Sequence, residues 1–136
     1  MELNIRRLQE EDWETLCSWW DWWPGWVAPQ RDILPENGKS GLMVEKNGVP
    51  IVAGFLYFTN GNVALLEWII SNPHYKNKDR KQALELLIVG SEEVCKKQGI
   101  GYMFTTTRSK TLIDMHSKLG WAVDKKPSYE IIKKIN

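Results

Sequence analysis

Residues 62–98 constrain the fold of this chain more than any other stretch. Val63–Ser71 is a run rich in Leu, Ile and Trp in which Glu67 is the only charged residue, and it reads as a strand. From Pro73 a polar, basic loop follows. Residues 80–97 then place Leu84, Leu87, Ile88, Val94 and Cys95 on one face of a long helix. That helix ends at Gln98-Gly99, with Lys96 and Lys97 in its last turn, where cations suit the helix dipole. Tyr102–Thr107 reads as a strand after it. Strand, loop, long helix and strand in that order describe an α/β chain.

The remaining segments fit around this unit. Leu3, Ile5 and Leu8 alternate with polar residues over 2–8, as in a short first strand. Residues 10–23 carry Trp13, Leu16, Cys17, Trp20 and Trp23 at helical spacing, and Pro24-Gly25 stops that helix. Residues 24–40 hold three prolines and form an irregular connection with room for a short helix. Leu42–Lys46 and Pro50–Thr59 flank Asn47-Gly48, a strong hairpin signal. Asn60-Gly61-Asn62 turns the chain into Val63–Ser71. Lys110–Leu119 reads as a helix closed by Gly120 in the left-handed cap position. Trp121–Val123 and Ser128–Ile135 have the pattern of closing strands. With 136 residues, no repeat and no low-complexity tract, one domain spanning 1–136 is expected.

Composition narrows the function. A net charge of +1 argues against a nucleic-acid coat or a generally basic membrane-surface protein. The longest apolar run, about residues 49–58, is too short to span a bilayer. Cytoplasm is the default compartment, because the start of the chain lacks a signal-type apolar stretch and Cys17 and Cys95 read as small buried hydrophobes. Two histidines and two scattered cysteines make no metal pattern, so no metal is expected.

At this point the residues resemble a family. Residues 64–90 look like the acetyl-CoA motif of GNAT-type N-acetyltransferases, where an apolar strand ends near a proline before a basic loop and a long helix. Residues 109–121 resemble that family's Asn-x-x-Ala-x-x-x-Tyr-x-Lys-Leu-Gly-Phe segment, the end Lys118-Leu119-Gly120-Trp121 matching best. Short, tryptophan-rich members from phages and marine viruses look similar. The resemblance implies a central mixed, mostly antiparallel sheet with helices on both faces. It implies an acyl-CoA-dependent N-acyltransferase using acetyl-CoA or another acyl-CoA, with a small-molecule or peptide amine as acceptor. Nucleic acid stays open as a partner, as does a homodimer.

The physics of the loop agrees with anion binding. Lys76, Lys78, Arg80 and Lys81 stand against one acid, Asp79, immediately before a long helix whose N-terminus offers free N–H groups and partial positive charge. The family's loop pattern is Arg/Gln-x-x-Gly-x-Gly/Ala. Here Lys76 takes the Arg/Gln position, while Asp79 and Lys81 replace the two glycines. Either Asp79 turns away and caps the helix, or the loop no longer holds the cofactor. The expected cofactor contacts are Ile69, Ile70 and Ser71 on the strand, Lys76, Asn77, Lys78, Asp79, Arg80, Lys81 and Gln82 in the loop, and Ser109 at the family's Asn position. A backbone N–H near Ile69–Ser71 would polarise the thioester carbonyl, as in the family.

Glu67 is the candidate general base. Strand alternation places it with Leu65, Ile69 and Ser71, opposite Leu66, Trp68 and Ile70. A lone carboxylate there must be paired or near water, and desolvation would raise its pKa toward the working pH. The alternative is an exposed or paired edge residue. His116 falls where the family has its acidic Tyr, and an imidazole also donates a proton. Thr105, Thr106 and Thr107 are accounted for by strand propensity alone.

Six of the eight tryptophans lie between Trp13 and Trp26, too many rings for one core. Trp19, Trp22, Trp23 and Trp26 are expected to line the acceptor pocket, with Asp21 near enough to favour a cationic amine. A nucleobase or sugar ring would also stack on such a surface. Three functions therefore stand: an N-acyltransferase, a non-catalytic binding module using the tryptophan face, and an acyltransferase acting on a nucleobase or nucleic acid.

Overall fold

The computed structural model describes residues 2–136. By internal contact they form two compact units, one ending at Thr106 and the other running from Thr107 to Asn136.

The first unit is a five-stranded sheet with helices. Its elements are β1 (Asn4–Arg7), α1 (Asp12–Trp22), β2 (Gly41–Lys46), β3 (Val49–Phe58), β4 (Val63–Ser71), α2 (Arg80–Lys97) and β5 (Tyr102–Phe104). The strands lie in the order β1-β2-β3-β4-β5. The first four pair antiparallel, and β5 joins β4 in parallel. The parallel step needs the α2 crossover between them. Asn47 and Gly48 take φ of 53° and 77°, the paired left-handed turn that closes a two-residue hairpin between β2 and β3. Trp23 is extended (φ −74°, ψ 125°) because Pro24 follows, and α1 ends there. The connection over 24–40 contains two short 3-10 turns, Arg31–Ile33 and Pro35–Gly38.

One core lies between α1 and the sheet. Leu16, Trp19 and Trp20 of α1 pack with Leu8, Leu34, Met43, Ala53, Phe55 and Ile70. Trp20 is fully buried and stacks on Phe55 at 6.3 Å. The opposite face carries α2 against β1, β2 and β3, burying Leu84, Leu87, Ile88 and Cys95. Both cysteines are free, and burial raises their thiol pKa values. Arg6 binds both Asp12 oxygens at 2.8 and 2.9 Å and Glu45 at 2.9 Å, tying α1 to β1 and β2. Burial pushes the Asp12 carboxyl up, but hydrogen bonds from Arg6 and from the Gln9 N–H hold it below its ordinary value.

The second unit contains α3 (Lys110–Lys118). Ser109 caps it by accepting from the Leu112 N–H at 3.3 Å, and Gly120 follows at φ 95° as expected. The expected closing strands Trp121–Val123 and Ser128–Ile135 do not form, and among the described residues no strand follows β5. A strand needs a partner for its backbone groups, and β propensity by itself supplies none. Ile131, Ile132 and Ile135 are accordingly exposed. The strand expected over 102–107 is likewise shorter, ending at Phe104 where its pairing with β4 stops.

Candidate functional site

β4 is not a regular strand. Ala53 pairs with Ile70 and Phe55 with Glu67, so Gly54 alone opposes both Trp68 and Ile69. The extra residue is a β-bulge, and Trp68 absorbs it with φ of 59°. This corrects the simple alternation. Glu67 shares its face with Phe55 and Ile70 on the α1 side, whereas Ile69 turns to the other face, toward Gly54, Leu66 and Leu87. One inserted residue moves everything beyond it to the opposite side.

The bulge coincides with the end of the β4–β5 ladder. Pairing covers Val63–Leu65 with Tyr102–Phe104 and goes no further. Beyond that point Glu67 reaches across. Its Oε1 accepts from the Thr106 N–H at 3.0 Å and lies 2.8 Å from Thr106 Oγ1, with Oε2 at 3.0 Å. The carboxylate therefore stands at the mouth of the gap between the strands, oriented by Thr106. At Ile69, Ile70 and Ser71 β4 still lies along β3, but it has no strand on the side of the gap. Trp68 Nε1 donates to Tyr57 Oη at 2.9 Å, and Tyr57 donates to the Ile33 carbonyl at 3.0 Å. Burial raises the Tyr57 pKa, opposed by the Trp68 hydrogen bond and helped by the Glu67 charge.

The loop from β4 to α2 makes its turn without left-handed backbone. No residue between Asn72 and Gln82 has positive φ, and Asp79 sits at φ −81°, ψ 6°. Missing glycines therefore cost the loop no strain. Asp79 does not cap α2 with its side chain, as one expectation had it. Instead its Oδ2 takes the Lys46 ammonium at 2.7 Å and its Oδ1 the Tyr75 hydroxyl at 2.7 Å. Lys46, then Tyr75, hold the Asp79 carboxyl below the usual range, and Asp79 in turn raises Lys46. The one acid of the loop is thus directed to the β2–β3 hairpin. Lys76, Asn77, Lys78, Lys81 and Gln82 are exposed. The Arg80 N–H donates to Asn77 and the Ala83 N–H to Asp79, which leaves the Lys81 and Gln82 N–H groups without a backbone acceptor.

The tryptophans divide. Trp19, expected in the acceptor pocket, is a core residue at 3% exposure, because its helical position faces the sheet. Trp22 and Trp26 are about half exposed. Trp23 joins the two parts of the site: its Nε1 donates to the Ser71 carbonyl at 3.0 Å, and the Arg80 guanidinium lies 5.8 Å over its ring. Trp22 meets Trp23 edge-on at 4.9 Å and His74 at 6.0 Å.

In the second unit, His116 is buried, 4.6 Å edge-on to Trp121. Its Nδ1 lies 2.7 Å from the Leu112 carbonyl, so Nδ1 carries a proton, and Nε2 has no partner. Ser109 spends its hydroxyl on the α3 cap.

Sequence reasoning missed four residues here. Strand propensity accounts for Thr106 and alternation for Trp68, while Tyr57 and Lys46 are ordinary members of the strands Pro50–Thr59 and Leu42–Lys46. Only the hairpin register and the bulge bring them to the site. Among the described residues no group of metal-ligating side chains occurs, and no helix is long and apolar enough to cross a membrane.

Neither a family model nor a curated protein matches the chain. Solved structures do. The ribosomal-protein-S18-alanine N-acetyltransferase of Escherichia coli superposes with a TM-score of 0.70 at 14% identity, covering 88% of this chain and 77% of that one. AAC(6')-Iy, held with a CoA bisubstrate analogue, gives 0.67 at 18% identity over 98% and 100% of the two chains. The PaiA N-acetyltransferase of Thermoplasma acidophilum, in complex with coenzyme A, gives 0.64 at 21% identity over 93% and 94%. With its mixed, mostly antiparallel five-stranded sheet and its α2 crossover, this chain has the GNAT fold.

Proposed function

We propose that the chain is an acyl-CoA-dependent N-acyltransferase acting as a single domain on an amine acceptor, a small molecule or a peptide. The observation that carries this reading is the Glu67 carboxylate, held by Thr106 at the opening between β4 and β5, in a chain whose β4 runs on into a basic loop where the one acid, Asp79, is paired with Lys46. The residues present fit a coenzyme diphosphate. Lys76, Lys78, Arg80 and Lys81 supply charge, and the Lys81 and Gln82 N–H groups supply donors. Acetyl-CoA, or another acyl-CoA, brings an activated thioester carbonyl. The open β4 edge at Ile69–Ser71 offers backbone groups to orient it. Glu67 takes a proton from the acceptor ammonium, which frees the amine lone pair. His116 is assigned the proton for the departing thiolate on its motif position alone, and Ser109 a cofactor contact on the same ground.

Titration with acetyl-CoA, followed by calorimetry and thermal shift, tests this. Stabilisation that weakens in Lys76→Ala and Arg80→Ala is expected; none at millimolar cofactor overturns the reading. A second reading, a non-catalytic module that binds a partner through its tryptophan face, is favoured by the half-exposed Trp22 and Trp26. Acetyl-CoA binding without transfer to any amine would select it.

A further inference from the structure

We propose that Trp68 is the residue that recognises the acceptor: its indole face, set beside Glu67 by the bulge of β4, is the platform for an organic ammonium group. The acceptor role rests on the acyltransferase reading; the cation site does not.

Among the described residues, the other non-glycine positions with positive φ are Glu36, Asn37 and Asn47, all in turns. Trp68 is the one inside a strand. A bulky residue in left-handed backbone is an outlier that persists only where surrounding structure enforces it, and such outliers cluster at ligand sites. Glycine or asparagine would take the same turn at less cost. The ring is held from its edge: Tyr57 accepts from Trp68 Nε1 while donating to Ile33, so both phenol positions are used. Tyr57 pairs with Leu65, and Phe55 pairs with Glu67, which places the Tyr57 ring on the face of the carboxylate. The indole is thereby directed over that same face. It remains 36% exposed, unlike the core rings of Trp19 and Trp20 at 3% and 0%. A ring serving only as packing needs neither the left-handed backbone nor the opening.

The chemistry selects a cation. An indole face attracts positive charge through its quadrupole, and the neighbouring Glu67 carboxylate adds a full negative charge. A neutral amide or alcohol gains neither. An ammonium resting there lies beside the group proposed to take its proton.

The test reads binding on the whole chain without cofactor. The indole N–H resonance of Trp68 is identified as the one missing from the spectrum of Trp68→Phe. Titration with n-butylammonium chloride, against sodium chloride at equal ionic strength, should move it saturably, and n-butanol should not. In Trp68→Gly, whose backbone accepts the turn, n-butylammonium affinity followed by calorimetry should fall roughly fivefold. Tyr57→Phe, which frees the indole but removes no large group, should show a smaller loss in the same direction. No saturable shift in the wild type, equal shifts with butanol, or unchanged affinity in Trp68→Gly each overturn the assignment. If the ammonium shift is intact but acetyl-CoA fails to stabilise the chain, the acyltransferase reading falls, the acceptor role with it, and the cation site stands.

Discussion

The site has two ends, the bulge in the middle of β4 and the loop that follows the strand, and they solve opposite problems. At Glu67–Trp68 the backbone is forced into an unfavourable conformation and short-range hydrogen bonds hold it: Thr106 on the carboxylate, Tyr57 on the indole. Beyond Ser71 the backbone is relaxed, and the Asp79 carboxylate holds it, through an ion pair with Lys46 and a hydrogen bond from Tyr75. Geometry orders the first site and electrostatics the second. They should therefore fail under different perturbations, since an ion pair weakens as salt rises while short hydrogen bonds are much less affected.

The largest effect is expected at the geometric end. Glu67→Gln keeps the contacts to Thr106 but cannot take a proton, so turnover should fall by about a hundred- to ten-thousand-fold. Acetyl-CoA affinity, measured by calorimetry, should stay within about twofold. Loss of affinity on that scale in this variant would mean the two ends are not separable. At the other end, Lys76→Ala or Arg80→Ala should each weaken acetyl-CoA by about tenfold, the worth of a charge-assisted contact, with the loss shrinking as salt is raised. Arg80→Ala also strips the cation from the Trp23 face.

A smaller effect is expected at Lys46. Lys46→Met leaves the Asp79 carboxylate without its ammonium beside the proposed diphosphate site. Acetyl-CoA affinity should drop severalfold, and Asp79→Asn in the same chain should restore it. A single Lys46→Met variant with full affinity would show that Asp79 needs no compensation.

The smallest effect is a pH dependence of the loop. Asp79 is held below its ordinary value, so its contribution to order is present above about pH 4 and fades as pH falls through the lower folded pKa. Lys46 is raised, so its contribution is complete below about pH 10 and is lost only above that. Hydrogen exchange of amides 76–82, corrected for intrinsic rates, should be flat between about pH 5 and 9 and accelerate in acid.

Much of the fold was legible because it depends on local pattern. The strand Val63–Ser71 and the helix 80–97 were readable to the residue from apolar spacing and flanking stops. Asn47-Gly48 announced its hairpin through the one turn that suits two positive φ values. The closing strands were misread, because Ile131, Ile132 and Ile135 express a preference that only a neighbouring strand satisfies. The site was half legible. The basic loop and Glu67 stood out as charges in unusual company. Thr106, Tyr57 and Lys46 did not, since each is ordinary within its own element.

The amino-acid sequence by itself determined the element order from β1 to α3, the hairpin, the long crossover helix and the basic loop in front of it, for these follow from periodicity and turn chemistry within a few residues. Tertiary structure alone decided which way β4 faces beyond Glu67 and what becomes of Asp79. A bulge is a mismatch between two strands, visible only once Gly54 is seen opposite both Trp68 and Ile69. An ion pair between residues 46 and 79 exists only when the sheet brings the hairpin to the helix. Both are products of pairing at long range, which no local pattern records.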